Sequence, residues 1–287
     1  MNDRVRLIGL VALAMLAFAG NSLLNRAALA QGSIGPALFA AVRLGSGAVV
    51  LSGLVLARSG RVPVRTAGRA GDALALAVYV LGFSFAYRWL NAGIGALVLF
   101  GTVQVTMFGG ALLQGEVLTG RRWIGAGVAF VGLVWLLWPG GAASIPMEGT
   151  ALMAAAGVGW GIYSLRGRGV QEVAAQDPTA RTAANFVLAV PVALGVLIFA
   201  GVGEVSVRGI LLAVVSGALT SGLGYALWYS VLPRLPASSA AVAQLTVPVI
   251  AMAGGLVLLG EVPSLRLVLA ALLVLGGVGW SLRPKSA

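Results

Sequence analysis

The chain consists of apolar runs about as long as a bilayer is thick, and every carboxylate falls near the end of one. A helical span needs about 20 apolar residues, since each residue advances the helix by about 1.5 Å through about 30 Å of hydrocarbon. Ten such runs can be placed: Arg6–Ala30, Ile34–Ala57, Asp72–Leu90, Ala92–Leu113, Arg121–Trp138, Met147–Leu165, Ala180–Val202, Arg208–Leu232, Ala237–Leu259 and Ser264–Leu282. No water is available in the bilayer to satisfy peptide groups, so each run must close its own hydrogen bonds as a helix. A barrel would show short alternating segments instead. The sequence predicts an all-α polytopic membrane protein with ten transmembrane helices.

Composition narrows the functions. Hydrophobic residues are 59% and charged residues 9%, with mean hydropathy +0.99, whereas a soluble domain carries about 25% charged residues. The chain has no cysteine and no histidine. Disulfides, thiolate metal sites, the commonest metal ligand and the usual proton shuttle are therefore absent from its chemistry. Neither a metal site nor a cofactor is expected. The net charge of +11 is scattered between apolar runs, which points to membrane topology and anionic lipids, not nucleic acid.

Placing the amino terminus in the cytoplasm puts fourteen basic residues on inner segments and four (Arg26, Arg88, Arg208, Arg266) on outer ones. Inner loops carry the excess of Arg and Lys, so both termini are expected to be cytoplasmic. Arg43 is left inside the membrane.

The chain also repeats itself. Gly-Glu-Val at 115–117 recurs at 260–262, and the same shift of 145 carries Arg121 onto Arg266, Gly132 onto Gly277 and Trp135 onto Trp280. A unit of five spans reverses direction when copied, so residues 1–140 and 141–287 read as two inverted five-helix repeats. Such repeats are a signature of secondary transporters, whose site lies near mid-membrane between the halves; channels also use them. AALA at 27–30 looks like a signal-peptide cleavage site. Removing the first run would leave one half unpaired, so it is read as a membrane helix.

Several stretches carry a family resemblance: FAGNSLLNRAAL (18–29), PALFAAVRL (36–44), LLQGEVLTGRRWIGAGVAFVGL (112–133), GWGIYSL (159–165), ASSAAVAQLTVPVIAMAGG (237–255) and LVLLGEVPSLRLVLAALLVLGGV (256–278). Their order and spacing resemble the EamA-type members of the drug/metabolite transporter superfamily over essentially the whole chain. The resemblance implies ten helices in two inverted repeats and a bacterial inner-membrane transporter. Within that superfamily the chain looks most like the YddG-like exporters of aromatic and other amino acids. One departure is GTVQV (101–105) in the fourth helix, where many members carry a proline.

The polar residues refine the expectation. None of Asp3, Asp72, Glu116, Glu148, Glu172, Asp177, Glu204 and Glu261 sits at mid-membrane, where ionisable groups usually mark ion or proton pathways. Transport is therefore expected to be facilitative or exchange-like. Glu116 and Glu261 read as end-capping and loop-packing groups, or as interfacial proton sites. Arg43 lies about 13 Å from the outer end of its helix, at about 1.5 Å per residue. It must snorkel, bind backbone carbonyls or line a wet cavity; it either ties its helix to a broken neighbour or holds a substrate carboxylate.

Candidate substrate-binding residues share helix faces at mid-depth: Asn21 and Ser22, Arg43, Tyr79 and Phe83, Gln104, Trp160 and Tyr163, Ser221 and Tyr225, and Gln244. Neutral hydrogen-bonders on an aromatic wall suit a zwitterion with a variable side chain. Phosphate-bearing cargo calls for clustered Arg or Lys. Trp89, Trp123, Trp135, Trp138 and Trp280 read as interface anchors; Trp228 either joins them or continues the helix-eight face of Ser221 and Tyr225, and the glycine-studded fifth and tenth helices read as packing elements. No nucleophile with its base is visible, which argues against an enzyme. The expected partners are a small-molecule cargo and membrane lipids, with the monomer as the working unit. Drug or multidrug export with proton coupling is the alternative.

Overall fold

The computed structural model describes residues 3–60, 70–113, 115, 119–138, 145–171, 177–235, 240 and 243–281, and the side chains among them except 167–171. Its regular elements are α1 (Asp3–Leu29), α2 (Pro36–Ser59), α3 (Ala70–Ala86), α4 (Ala92–Leu113), α5 (Gly120–Leu137), α6 (Met147–Gln171), α7 (Pro178–Ala200), α8 (Val207–Val215), a π-helical stretch (Ser216–Leu223), α9 (Gly224–Val231), α10 (Thr246–Leu259) and α11 (Leu265–Ser281). Among the described residues, six helical segments are long and apolar enough to cross a membrane, the last being Val207–Arg234, which contains α8, the π stretch and α9. α3, α10 and α11 are shorter apolar helices. Large apolar side chains such as Phe199, Leu113 and Ile198 stand fully exposed on the outside of the bundle. A surface of that kind needs lipid against it. The protein is an all-helical, multi-pass membrane protein.

Four departures from the sequence expectation have physical causes. α6 runs six residues past Leu165, to Gln171, because nothing in Arg-Gly-Arg-Gly-Val-Gln stops a helix outright. α3 ends at Ala86, and 87–90 form turns. α10 starts at Thr246, after a turn at Leu245. Pro248 forces that break: it has no N–H, and its ring would strike the carbonyl of Gln244 in a continuous helix. Residues 237–239 and 241–242 of that expected span lie outside the described residues. The eighth span, read from sequence as plain helix, carries the eight-residue π stretch at its centre; such widened turns are frequent at functional sites. α4 runs through Gly-Thr-Val-Gln-Val at 101–105 as one uninterrupted helix.

Close helix contact depends on small residues. α6 packs on both α3 and α4. A methyl at Gly157 would sit 2.9 Å from the Leu99 carbonyl oxygen on α4, and one at Gly159 would sit 2.7 Å from that of Ala75 on α3. α5 lies along α11, and a Cβ on Gly125 would come within 2.4 Å of the Gly277 carbonyl oxygen. This is the close backbone approach that small residues permit in membranes. The guanidinium of Arg266 donates to the carbonyls of Trp135 and Trp138 at the end of α5, where a cation also suits the helix dipole. Further packed pairs are α2 with α7, α2 with the π stretch, α3 with α7, α1 with α9, and α10 with both α1 and α4. Trp123, Trp135, Trp138 and Trp280 are exposed on the bundle surface, as interface anchors require. Trp228 is not one of them: it is buried against Phe18, with ring centroids 5.9 Å apart.

Candidate substrate chamber

The packing of α1, α3, α4, α6 and α9 leaves a narrow gap inside the bundle. α1 contributes Phe18, Asn21 and Ser22 to its wall; α3 Tyr79 and Phe83; α4 Leu99 and Phe100; α6 Trp160; α9 Tyr225. Trp160 is the hub, with its ring centroid 5.0 Å from Tyr79, 5.1 Å from Tyr225 and 5.6 Å from Tyr163, on which it stacks. Tilted and edge-on contacts of this kind add about 0.5–1.5 kcal/mol each beyond burial. The gap offers ≈ 10 Å³ to the centre of a water molecule, room for about one water. No organic molecule larger than water fits the gap as it stands.

A polar seam joins the wall to the π stretch. The side-chain oxygen of Asn21 accepts from Ser216 (2.9 Å), Thr220 (2.6 Å) and Ser221 (3.1 Å). In an α-helix, with 3.6 residues per turn, Ser221 would point about 100° away from Thr220's face. Widening the helix brings all three hydroxyls round to one acceptor. Asn25, one turn further along α1, donates to the Ser216 hydroxyl (3.4 Å) and accepts from Ser84 (3.1 Å).

Arg43 is wholly buried. Nε donates to the Ser221 hydroxyl (3.0 Å) and Nη2 to the Tyr79 hydroxyl (2.9 Å), while the guanidinium carbon lies 5.3 and 5.0 Å from the ring centroids of Tyr79 and Phe83. It neither snorkels nor binds backbone carbonyls. Cation–π contact and two hydroxyls hold it, one side chain behind the chamber wall.

Both ends of the bundle carry an ion pair. At one, Glu261 meets Arg26 at 2.6 Å and accepts from the first backbone N–H of α4, that of Ala92, at 2.7 Å. Arg26 also donates to the Tyr87 carbonyl and the Asn91 side chain. This latch ties the ends of α1, α3 and α10 to the start of α4, and gives Glu261 the capping and loop-packing role. Glu116 lies outside the described residues. At the other end, buried Asp72 faces the half-exposed Arg166 at 3.5 Å, and its second oxygen has no partner.

Of the candidate residues, Asn21, Ser22, Tyr79, Phe83, Trp160 and Tyr225 line the chamber. Arg43 and Ser221 stand immediately behind it. Tyr163 forms the layer beyond Trp160, where its hydroxyl accepts from Asn185 (3.4 Å). Gln104 lies one turn of α4, about 5.4 Å, past Phe100, and Gln244 precedes the break at Leu245; both are half-buried and neither lines the gap. Phe18, Leu99, Phe100, Ser216 and Thr220 were not singled out from the sequence. Phe18 could have been, since it shares a face of α1 with Asn21 and Ser22 at i+3 and i+4.

Apolar helices around an aromatic chamber, with an ion pair at each end, define a multi-pass membrane protein with a polar and aromatic interior. Residues 147–283 match the EamA-like transporter family. A Pseudomonas aeruginosa protein described only as uncharacterized protein PA1977 is 48% identical over 287 residues, covering 99% of this chain and 97% of its own. A solved structure described only as a crystal structure of protein shares the fold at TM-score 0.68 and 21% identity, covering 95% of this chain and 98% of its own. The second half of the chain, residues 147–283, thus carries an EamA-like transporter domain, the mark of the drug/metabolite transporter superfamily.

Proposed function

We propose that this transporter exports amino acids, aromatic ones among them as in YddG-like exporters, and related small metabolites across the bacterial inner membrane. It works as a monomer by alternating access, in facilitative or exchange mode, with both termini in the cytoplasm. The observation that carries this reading is the composition of the chamber wall: aromatic faces for a variable side chain, neutral amide and hydroxyl groups, and a guanidinium just behind.

Helix packing supports two related halves, residues 1–140 and 141–287. Exchange α1–α5 for α6, α7, the α8–α9 span, α10 and α11 in that order. The α3–α6 contact then becomes that of the α8–α9 span with α1, α4–α6 becomes α10–α1, and α2–α7 and α5–α11 map onto themselves. A bundle with this exchange symmetry can swap an inward-open arrangement for an outward-open one.

Counterflow in proteoliposomes tests the reading: liposomes loaded with unlabelled phenylalanine or leucine should take up labelled amino acid in a saturable way. Absence of counterflow across an amino-acid panel would remove it. Trp160→Ala should weaken cargo affinity at least about tenfold, the loss expected when a central aromatic contact disappears. Unchanged affinity and selectivity would take Trp160 off the site.

A second reading, proton-coupled export of drugs or other metabolites, draws on Asp72, a buried carboxylate with one unpartnered oxygen. Under the facilitative reading, Asp72→Asn leaves counterflow within about twofold, less than about 0.5 kcal/mol. Cargo flux that follows an imposed pH gradient, and loses that dependence in Asp72→Asn, would favour the second reading.

A further inference from the structure

The groups around Arg43 contain more donors than acceptors, and a positive charge that no carboxylate answers. Among the described residues the ion pairs are Arg26–Glu261 and Arg166–Asp72, both at the ends of the bundle. Arg43 sits between them, wholly buried, and its Nη1 has no hydrogen-bond partner. Its other contacts are neutral: the Ser221 and Tyr79 hydroxyls.

The tyrosines extend the surplus. Tyr79 and Tyr225 are 3.3 Å apart through their hydroxyls, and Tyr79 already accepts from Arg43. Two phenols sharing one hydrogen bond leave one phenolic proton over, whichever of them donates. A surplus phenolic proton and the Nη1 protons thus sit beside one another, and both tyrosines line the chamber. Leaving a cation and its donors unanswered in a membrane interior is costly.

We propose that the cargo itself answers them: the transported molecule carries a carboxylate, held by the surplus phenolic proton of the Tyr79–Tyr225 pair and by Arg43 Nη1. This rests on the reading of the chamber as the transport site and goes beyond it, since it makes the carboxylate the obligatory part of the cargo. The carboxylate enters as the helices part, because the gap is too small for it. The rest of the molecule lies against Phe18 and Trp160, so a bare amine with the same side chain is a poor substrate.

Isothermal titration of the purified full-length protein with four phenyl compounds tests this: phenylalanine, 3-phenylpropionate, phenylalaninamide and 2-phenylethylamine. The two acids should bind about 10- to 100-fold more tightly than the amide and the amine, the range expected for charge-assisted hydrogen bonds. Arg43→Gln should remove that preference, Arg43→Lys should keep part of it, and Tyr79→Phe should reduce it several-fold. If wild-type protein binds amide and acid alike, or if Arg43→Gln weakens all four equally, Arg43 is structural and the proposal is wrong. It is equally wrong if chloride or phosphate binds at this site and neither acid does. Should Arg43→Gln fail to fold, the acid-to-amide ratios of wild type and Tyr79→Phe decide. Arg43-dependent binding of 3-phenylpropionate without amino-acid binding or counterflow would keep the carboxylate and discard the amino-acid cargo. Counterflow of amino acids without acid preference would do the reverse.

Discussion

Gly217→Ala should unfold the transporter or abolish transport, while Gly276→Ala should do neither. A Cβ at 217 would lie 2.0 Å from the Ser46 hydroxyl oxygen and 2.1 Å from the Arg43 carbonyl oxygen. The hydroxyl can rotate away, but the carbonyl belongs to the α2 backbone and cannot. The π stretch would have to back away from α2 by about 1 Å, since carbon and oxygen do not pack closer than about 3 Å. Overpacking costs about 1–3 kcal/mol where side chains can yield, and here they cannot. The same displacement would pull Ser221 off Arg43 and spoil the seam on Asn21. Gly276 is the matched control: a glycine inside α11 with nothing within 4 Å of an added methyl. Alanine there should be neutral or raise stability by up to about 1 kcal/mol, through helix propensity. Thermal unfolding and counterflow on the two variants read the difference; equal behaviour would mean that the close approach of the π stretch to α2 carries no weight.

Glu261→Gln should open the end of the bundle that Glu261 now latches. Removing one partner of a buried pair costs about 3–5 kcal/mol. The side chains here are 13% and 16% exposed, which argues for the lower figure. At about 1.4 kcal/mol per tenfold, the closed arrangement should lose on the order of 100-fold in population. The readout is clean because the chain has no cysteine: Leu99→Cys places a single thiol on the chamber wall. A membrane-impermeant maleimide should label it far faster in the Glu261→Gln background, and only from the side facing Glu261. In right-side-out vesicles that side should be the outer one. Unchanged labelling would mean that the latch is ornamental, and faster labelling from the inner side would reverse the topology.

The apolar runs and polar breaks made the helices legible, because in lipid the backbone has few alternatives. Side chains that share a face within one helix were legible too: Tyr79 and Phe83, four residues apart, stand together on the chamber wall. What could not be read depends on register or on distance along the chain. Ser221 joins Ser216 and Thr220 on one acceptor only because the helix widens between them, since helical periodicity turns it about 100° from Thr220. Arg26 and Glu261 each look like a loop charge, yet lie 2.6 Å apart across 235 residues. Trp228 shows the limit of reading aromatics by depth: the sequence allowed an interface anchor or the inward face of Ser221 and Tyr225, and its burial against Phe18 decides for the second. Arg43 showed as an intramembrane charge; that its partners are neutral hydroxyls and ring faces did not show.

The crossing of α5 and α11 has a mechanical consequence. Gly125 and Gly277 bring two backbones together, with only the short side chains of Ser281 and Val128 beside them, so the joint is a close backbone-to-backbone pivot. Neither helix supplies a residue to the chamber wall. Such a fulcrum could be stiffened or loosened by evolution to set turnover speed without altering which molecules are accepted.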